Sequence, residues 1–225
     1  MRTVTYNNTA TSINSTSRII NFVVDDGASS SNTSTTATTT LAISNFAPVI
    51  TSAATANFAE NGTGTAYIVT ATDRNAGTTL TYSLTGTDAA RFSIDSSTGI
   101  VTFAAVPNFE APLDAGADNV YNINVVASDG TLNASQAVAI TVTNVNEAPT
   151  ITSGANANFV ENGTGTAYTV TATDPDAATT FNYSISGTDS ALFNINSTTG
   201  AVTFKTAPNF EVPTDSGANN IYDIT

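Results

Sequence analysis

Oxygen-bearing side chains gather where the apolar-alternating stretches of this chain come to an end. Glu60 closes one such stretch, and Asp73 closes the next within Asp73-Arg74-Asn75. Glu110 sits in Pro107-Asn108-Phe109-Glu110, and Asp129 closes a later stretch. The segment Asn144-Val145-Asn146-Glu147-Ala148-Pro149 adds two amides and an acid, and Asp174 and Asp176 follow in Thr171-Ala172-Thr173-Asp174-Pro175-Asp176. Hard cations take about six to eight oxygen ligands from carboxylates, amides, carbonyls and water. Any one Asp or Asn here is explained well enough as a turn former. The recurrence of acids around one short segment is not, and it points to convergence on a divalent ion such as calcium. On this reading Asn144–Pro149 is a junction between two modules that a shared ion stiffens.

The bulk composition narrows the chemistry further. Eighteen acidic residues against five basic ones give a net charge of −13. Nucleic acid is an unsuitable partner, because binding it requires clustered Lys and Arg. Cations are the natural counterpart of such a surface. The chain has no Cys, His or Trp. Disulfides, thiolate nucleophiles and imidazole acid–base catalysis are thereby excluded, and zinc lacks its usual ligands. Paired carboxylates can serve a glycosidase when two face each other across a cleft. Here the acids repeat with the module, so the chain is read as non-enzymatic. No apolar run approaches the ~20 residues of a spanning helix. The first residues, Met1-Arg2-Thr3-Val4-Thr5-Tyr6, have no apolar h-region of the kind a signal peptide carries. The chain is read as a piece of a longer extracellular protein.

The elements that position these acids follow from an internal repeat. Asn57-Phe58-Ala59-Glu60-Asn61-Gly62-Thr63-Gly64-Thr65-Ala66-Tyr67 returns as Asn158-Phe159-Val160-Glu161-Asn162-Gly163-Thr164-Gly165-Thr166-Ala167-Tyr168, 101 residues later. The same separation carries Asp73 to Asp174, Gly99 to Gly200, Glu110 to Glu211 and Tyr121 to Tyr222, without a gap. A period of about 100 residues is that of a whole β-sandwich domain. Strands are read near residues 50–58 and 66–72, then at Leu80/Tyr82/Leu84, Phe92/Ile94, Val101/Phe103, Tyr121/Ile123/Val125/Ala127 and Val138/Ile140/Val142. Seven short strands without helical periodicity predict an all-β chain of tandem Greek-key, immunoglobulin-like β-sandwiches. Residues 1–47 are read as the end of a preceding module, with Ile20, Phe22, Val24 and Asp26-Gly27 matched to Ile123, Val125, Ala127 and Asp129-Gly130. Residues 29–40 read as a long polar hairpin loop. Residues 48–148 form a complete module, and 149–225 one that stops before its last strands.

With these motifs in place the sequence resembles tandem cadherin-like repeats, of the kind found in large bacterial surface proteins. The matching elements are the early Glu, the Asp-x-Asp after the second strand, a Glu in the place of the family's Asp-Arg-Glu, the Tyr-x-Ile-x-Val-x-Ala-x-Asp strand and an Asn/Glu-rich linker ending in Pro. The resemblance covers residues 48–225 well and 18–48 in part. It implies cadherin-like seven-stranded sandwiches and calcium clusters that each draw on two successive modules and their linker. One cluster would use Glu60, Glu110, Asn144, Asn146 and Glu147, with Asp174 and Asp176. The upstream one would use Asp73, Asn75 and Asp129, with Asn45.

Departures from the family pattern bear on ion number and strength. Asn144 stands for the first linker Asp, Asn75 for the second Asp of Asp-x-Asp, and Asn108 for the Asp of Asp-Arg-Glu. Ile43 and Phe46 stand where Asn144 and Glu147 stand in the later linker. The upstream cluster is therefore expected to be the weaker. Tyr67, Tyr82, Phe92 and Tyr121 read as core residues. The resemblance implies cell adhesion at an extracellular or cell-surface location in a membrane- or envelope-associated parent, through a protein partner or identical repeats on another chain. The alternatives are a passive stalk or a non-catalytic appendage of a secreted enzyme.

Overall fold

The computed structural model describes residues 18–24, 29–30, 34–41, 44–75, 77–177 and 179–225. The chain divides into two compact units, Met1–Val145 and Asn146–Thr225. Both are built from strands and turns; the described helices are single 3-10 turns at Ala89–Arg91 and Ser190–Leu192.

The first unit opens with a hairpin in which β1 (Arg18–Phe22) pairs antiparallel with β2 (Ala37–Leu41), placing Phe22 opposite Ala37. Moved by the 101-residue repeat, that pair becomes Ile123 opposite Val138, which face each other in the later hairpin. Ile20, matched to Ile123 by the apolar pattern, stands opposite Thr39 in this hairpin. The polar loop is shorter than predicted, since β2 already begins at Ala37. Asp26-Gly27 and Ile43 lie outside the described residues.

The complete module runs through β3 (Val49–Ile50), β4 (Thr55–Ala59), β5 (Thr65–Ile68), β6 (Ala71–Thr72), β7 (Thr81–Thr85), β8 (Phe92–Ile94), β9 (Ile100–Phe103), β10 (Val120–Ser128) and β11 (Asn133–Thr143). Two of the predicted strands are split. The stretch near 50–58 breaks into β3, which pairs antiparallel with β6, and β4, which pairs parallel with β11. The stretch 66–72 breaks into β5 and β6. One sheet has the order β4-β11-β10-β7 and the other β5-β9-β8. The crossing of β4 to β11 makes this the Greek-key sandwich the alternation predicted.

Alternation becomes burial where the two sheets face each other. Along β10 the residues Tyr121, Ile123, Val125 and Ala127 are buried, and along β11 Val138, Ile140 and Val142. Val69, Val101 and Phe92 meet them from the other sheet side. Each such side chain contributes about 1.5–3 kcal/mol on leaving water. The ring of Tyr121 stands edge-on to Phe92 and Phe103, at 5.7 and 5.1 Å between centroids. Gly99 sits at φ +73 with its Cβ direction 2.5 Å from the Val69 carbonyl oxygen, so the turn into β9 has no room for a side chain.

The second unit contains β12 (Thr150–Ile151), β13 (Thr166–Thr169), β14 (Ala172–Thr173), β15 (Phe193–Ile195) and β16 (Ala201–Phe204). β12 pairs with β14, and β13-β16-β15 form a sheet with the registers of β5-β9-β8. Its aromatic cluster repeats as well: Tyr222 stands edge-on to Phe193 and Phe204 at 5.8 and 4.9 Å. Residues 156–160 are not a strand, although their counterpart is β4.

Candidate metal centre

In the first unit a polar cluster forms where the segment before β3 meets the loops after β6 and β10. Asp73 Oδ1 accepts the backbone N–H of Asn75 at 2.6 Å, a tight turn of the Asx kind. The turned Asn75 presents its Oδ1 to the backbone N–H of Phe46 at 3.0 Å. The neighbouring Asn45 donates its Nδ2 to Asp129 Oδ2 at 2.7 Å. All four residues assigned to the upstream set are therefore drawn together, through contacts up to 84 residues apart in sequence.

Two atoms of this cluster are left over. Asp73 Oδ2 is buried and accepts no hydrogen bond, and Asn75 Nδ2 is buried and donates none. An unsatisfied buried carboxylate oxygen is costly unless a cation meets it. The donor set is entirely oxygen once Asn75 Nδ2 is set aside, which suits a hard cation such as calcium and not zinc. The residues therefore fit the ion at Asp73, while Asn75 offers an amide NH2 where a second carboxylate would serve better.

Asp129 holds the other side. Its Oδ1 takes the backbone N–H groups of Leu132 and Thr131, both at 2.7 Å, and these bonds with the Asn45 amide keep its carboxyl below the ordinary range. The acid is thus ionised and fixed in orientation. Arg74 covers the Phe46 ring, with its guanidinium carbon 4.9 Å from the ring centre.

A second oxygen-rich group of the first unit surrounds Glu60, which is only 2% exposed. Its Oε2 accepts the backbone N–H of Phe109 at 2.7 Å and its Oε1 that of Val145 at 2.8 Å. Glu110 lies beside it, with carboxylate oxygens of the two within 4.8 Å. Asn144 donates its Nδ2 to Glu110 Oε1 at 3.3 Å. Glu60, Glu110 and Asn144 thus lie together in the first unit.

The second unit repeats the Asx turn. Asp176 donates its backbone N–H to Asp174 Oδ1 at 2.9 Å, and its Oδ2 accepts the N–H of Glu147 at 2.7 Å. Asn146 is exposed and turns its Nδ2 to the Glu147 carbonyl at 3.0 Å. By the repeat, Asp176 stands where Asn75 stands, with a carboxylate oxygen in place of the amide nitrogen.

Sequence reading missed the acids that hold these groups in position. Asp88 and Asp114 are 4% and 6% exposed. Asp88 accepts the N–H groups of Ala115 and Asn122 at 2.8 and 2.7 Å. Asp114 accepts those of Asp118 and Asn119 at 3.1 and 3.0 Å. Burial pushes the Asp114 carboxyl up, and these N–H bonds outweigh it, leaving it below the ordinary value. Asn119 then donates to the Phe109 carbonyl at 2.9 Å, next to the N–H that binds Glu60. Asp88 and Asp114 therefore position the loop that carries Glu110. A signal was present: both acids recur, as Asp189 and Asp215, which make the same bonds to residues 216, 219, 220 and 223.

No protein-family model matches the chain, and no curated protein matches it. Solved structures do. Human protocadherin-24 EC1-2 superposes with a TM-score of 0.54 at 21% identity, over 75% of this chain and 81% of that one. Human CDH23 EC21-23 gives 0.53 at 21% identity, over 87% and 66%. Drosophila N-cadherin EC1-4 gives 0.50 at 22% identity, over 78% and 44%. The fold of this chain is accordingly that of cadherin extracellular domains, an all-β Greek-key sandwich. Among the described residues no helix is long and apolar enough to cross a membrane.

Proposed function

We propose that the chain is a calcium-binding, cadherin-like segment of an extracellular adhesion protein, in which bound ions stiffen successive repeats. The observation that carries this reading is the buried Asp73 Oδ2, which accepts no hydrogen bond and belongs to the turn that Asp73 makes with Asn75. The Glu60–Glu110 pair supports a second binding group. Calcium, when bound, supplies charge neutralisation. In the resemblance stated above, each ion is shared between modules, and Glu147, Asp174 and Asp176 would contribute from the second unit. Two carboxylates 4 Å apart repel by about 1 kcal/mol in water and about 4 kcal/mol at an effective dielectric of 20. A divalent ion reverses that sign and turns repulsion into a brace.

Isothermal titration of the chain with calcium tests the proposal. Binding at about 10⁻⁴–10⁻³ M is expected, as for extracellular modules, with weakening by D73N and by E110Q. Absence of heat at millimolar calcium refutes it. Adhesion through a protein partner or through identical repeats on another chain is read by sedimentation with and without chelator. Association that depends on calcium supports adhesion, and a monomer under both conditions leaves a stalk.

A further inference from the structure

We propose that Arg74 is a cation built into the chain, and that it latches residues 45–47 onto the loop after β6 without needing a metal. Three contacts make this latch. Asn75 Oδ1 accepts the Phe46 N–H at 3.0 Å, and Asn45 donates its Nδ2 to Asp129 Oδ2 at 2.7 Å. The Arg74 guanidinium carbon lies over the Phe46 ring, 4.9 Å from its centre. A guanidinium within about 6 Å of a ring centre is attracted to the face of the ring. Two adjacent residues thus grip Phe46 together: Asn75 takes its backbone and Arg74 its ring.

The repeat shows that the turn itself does not require this pairing. Shifted by 101 residues, Phe46 becomes Glu147 and Arg74 becomes Pro175. The backbone bond is kept, since Asp176 Oδ2 accepts the Glu147 N–H at 2.7 Å. What changes is the side chains around it, a ring and a guanidinium in one unit, a carboxylate and a proline in the other. Positions 45, 46, 73, 74 and 75 hold one Asp and one Arg, a net charge of 0. Their counterparts 146, 147, 174, 175 and 176 hold Glu147, Asp174 and Asp176, a net charge of −3. Three like charges repel one another until a cation joins them, whereas the first set is already neutral.

The two segments therefore differ in what holds them. Residues 45–47 stay docked in chelator, because their cation is covalent. Residues 146–148 are held in full only when an ion is bound. Phe46 is 37% exposed, so its ring is not placed by core burial, and the guanidinium is what covers it. Arginine suits this role better than lysine, since its planar head stacks on an aromatic face. The contrast with the second unit rests on the calcium reading above; the latch itself does not.

The test is amide exchange of the 225-residue chain, read as protection factors at positions 46 and 147, in chelator and in millimolar calcium. In chelator Phe46 is expected to be protected and Glu147 is not. Calcium should protect Glu147 and leave Phe46 as it was. R74A should lower protection at position 46 about two- to fivefold in chelator, the size of a cation–π contact at an exposed site. F46L keeps apolar bulk without the ring and should do the same, while F46W, with the ring that holds a cation best, should retain protection. Amides of β10 and β11 report that each variant is folded. Unchanged protection at Phe46 in R74A overturns the proposal, as does protection at Phe46 that appears only with calcium. If calcium protects neither amide while R74A still releases Phe46, the calcium reading fails and the latch stands.

Discussion

Asn75 Oδ1 accepts the backbone N–H of Phe46 at 3.0 Å, while its Nδ2 is buried with nothing to donate to. Asp176 makes the corresponding bond to Glu147 in the second unit, at 2.7 Å. The Asx turn and the captured N–H are therefore common to both, and the side chain that makes the bond ends in an amide in the first unit and in a carboxylate in the second. In the first unit the amide nitrogen and Asp73 Oδ2 are both buried without a partner.

N75D replaces this donor with a carboxylate oxygen and keeps the bond to Phe46. Without calcium the new charge repels Asp73 by about 1–4 kcal/mol, so the melting temperature should fall. With millimolar calcium the order should invert, and N75D should bind roughly tenfold or more tightly, since each 1.4 kcal/mol is a factor of ten. Calorimetry with and without chelator checks both signs. A variant destabilised equally under both conditions would mean that no ion enters beside Asp73.

Both oxygens of Glu60 take backbone N–H groups, and the residue is almost fully buried. E60Q turns one acceptor into an amide NH2 facing an N–H, which costs about 1.5–3 kcal/mol for a charge-assisted bond. Urea unfolding in chelator measures the cost, and an unchanged midpoint would contradict the role of these two bonds.

The outlines of the fold were open to sequence reasoning because the alternation in β7 to β11 maps directly onto a buried face and a wet one. The resemblance to cadherin-like repeats is what grouped Asn45, Asp73, Asn75 and Asp129, and short hydrogen bonds join Asn45 to Asp129 and Asp73 to Asn75. One feature was not legible. The break between β3 and β4 depends on two separate partners, β6 and β11, and no residue type announces it. There the deciding term is the neighbour, not the local propensity. Asp88 and Asp114 were passed over because acids that bind backbone N–H groups look, in sequence, like any loop acid.

D114N should loosen the loop that carries Glu110 without touching Glu110. Its two oxygens now hold the N–H groups of Asp118 and Asn119, and Asn119 in turn holds the Phe109 carbonyl. Exchange of the amides at 118–120 should rise about tenfold or more, matching the loss of one bond to a charged acceptor. Calcium affinity should drop with it, while D114E, too long for the turn, should rescue neither. Unchanged exchange would show that the left-handed residues Ala117 and Asn119 hold the loop by themselves.

Acid should weaken one turn of the first unit and spare its repeat. Asp95 accepts the Ser97 hydroxyl at 2.6 Å and the N–H groups of Thr98 and Ser97 at 2.9 and 2.8 Å, which lower its pKa from 3.8 to about 2. The folded value lies below the unfolded one, so the stabilisation is present above pH 3.8 and is lost as pH falls towards 2. The second unit has Asn196 in this place, with its Oδ1 accepting the N–H groups of Thr198 and Thr199 at 3.0 Å each. An amide does not titrate there, so the second turn should keep its amide protection through the same window. D95N should make the first turn behave like the second. Amide exchange of Ser97 and Thr98 against Thr198 and Thr199, followed from pH 5 to pH 2, separates the carboxylate's contribution from general acid unfolding, which would release both turns together.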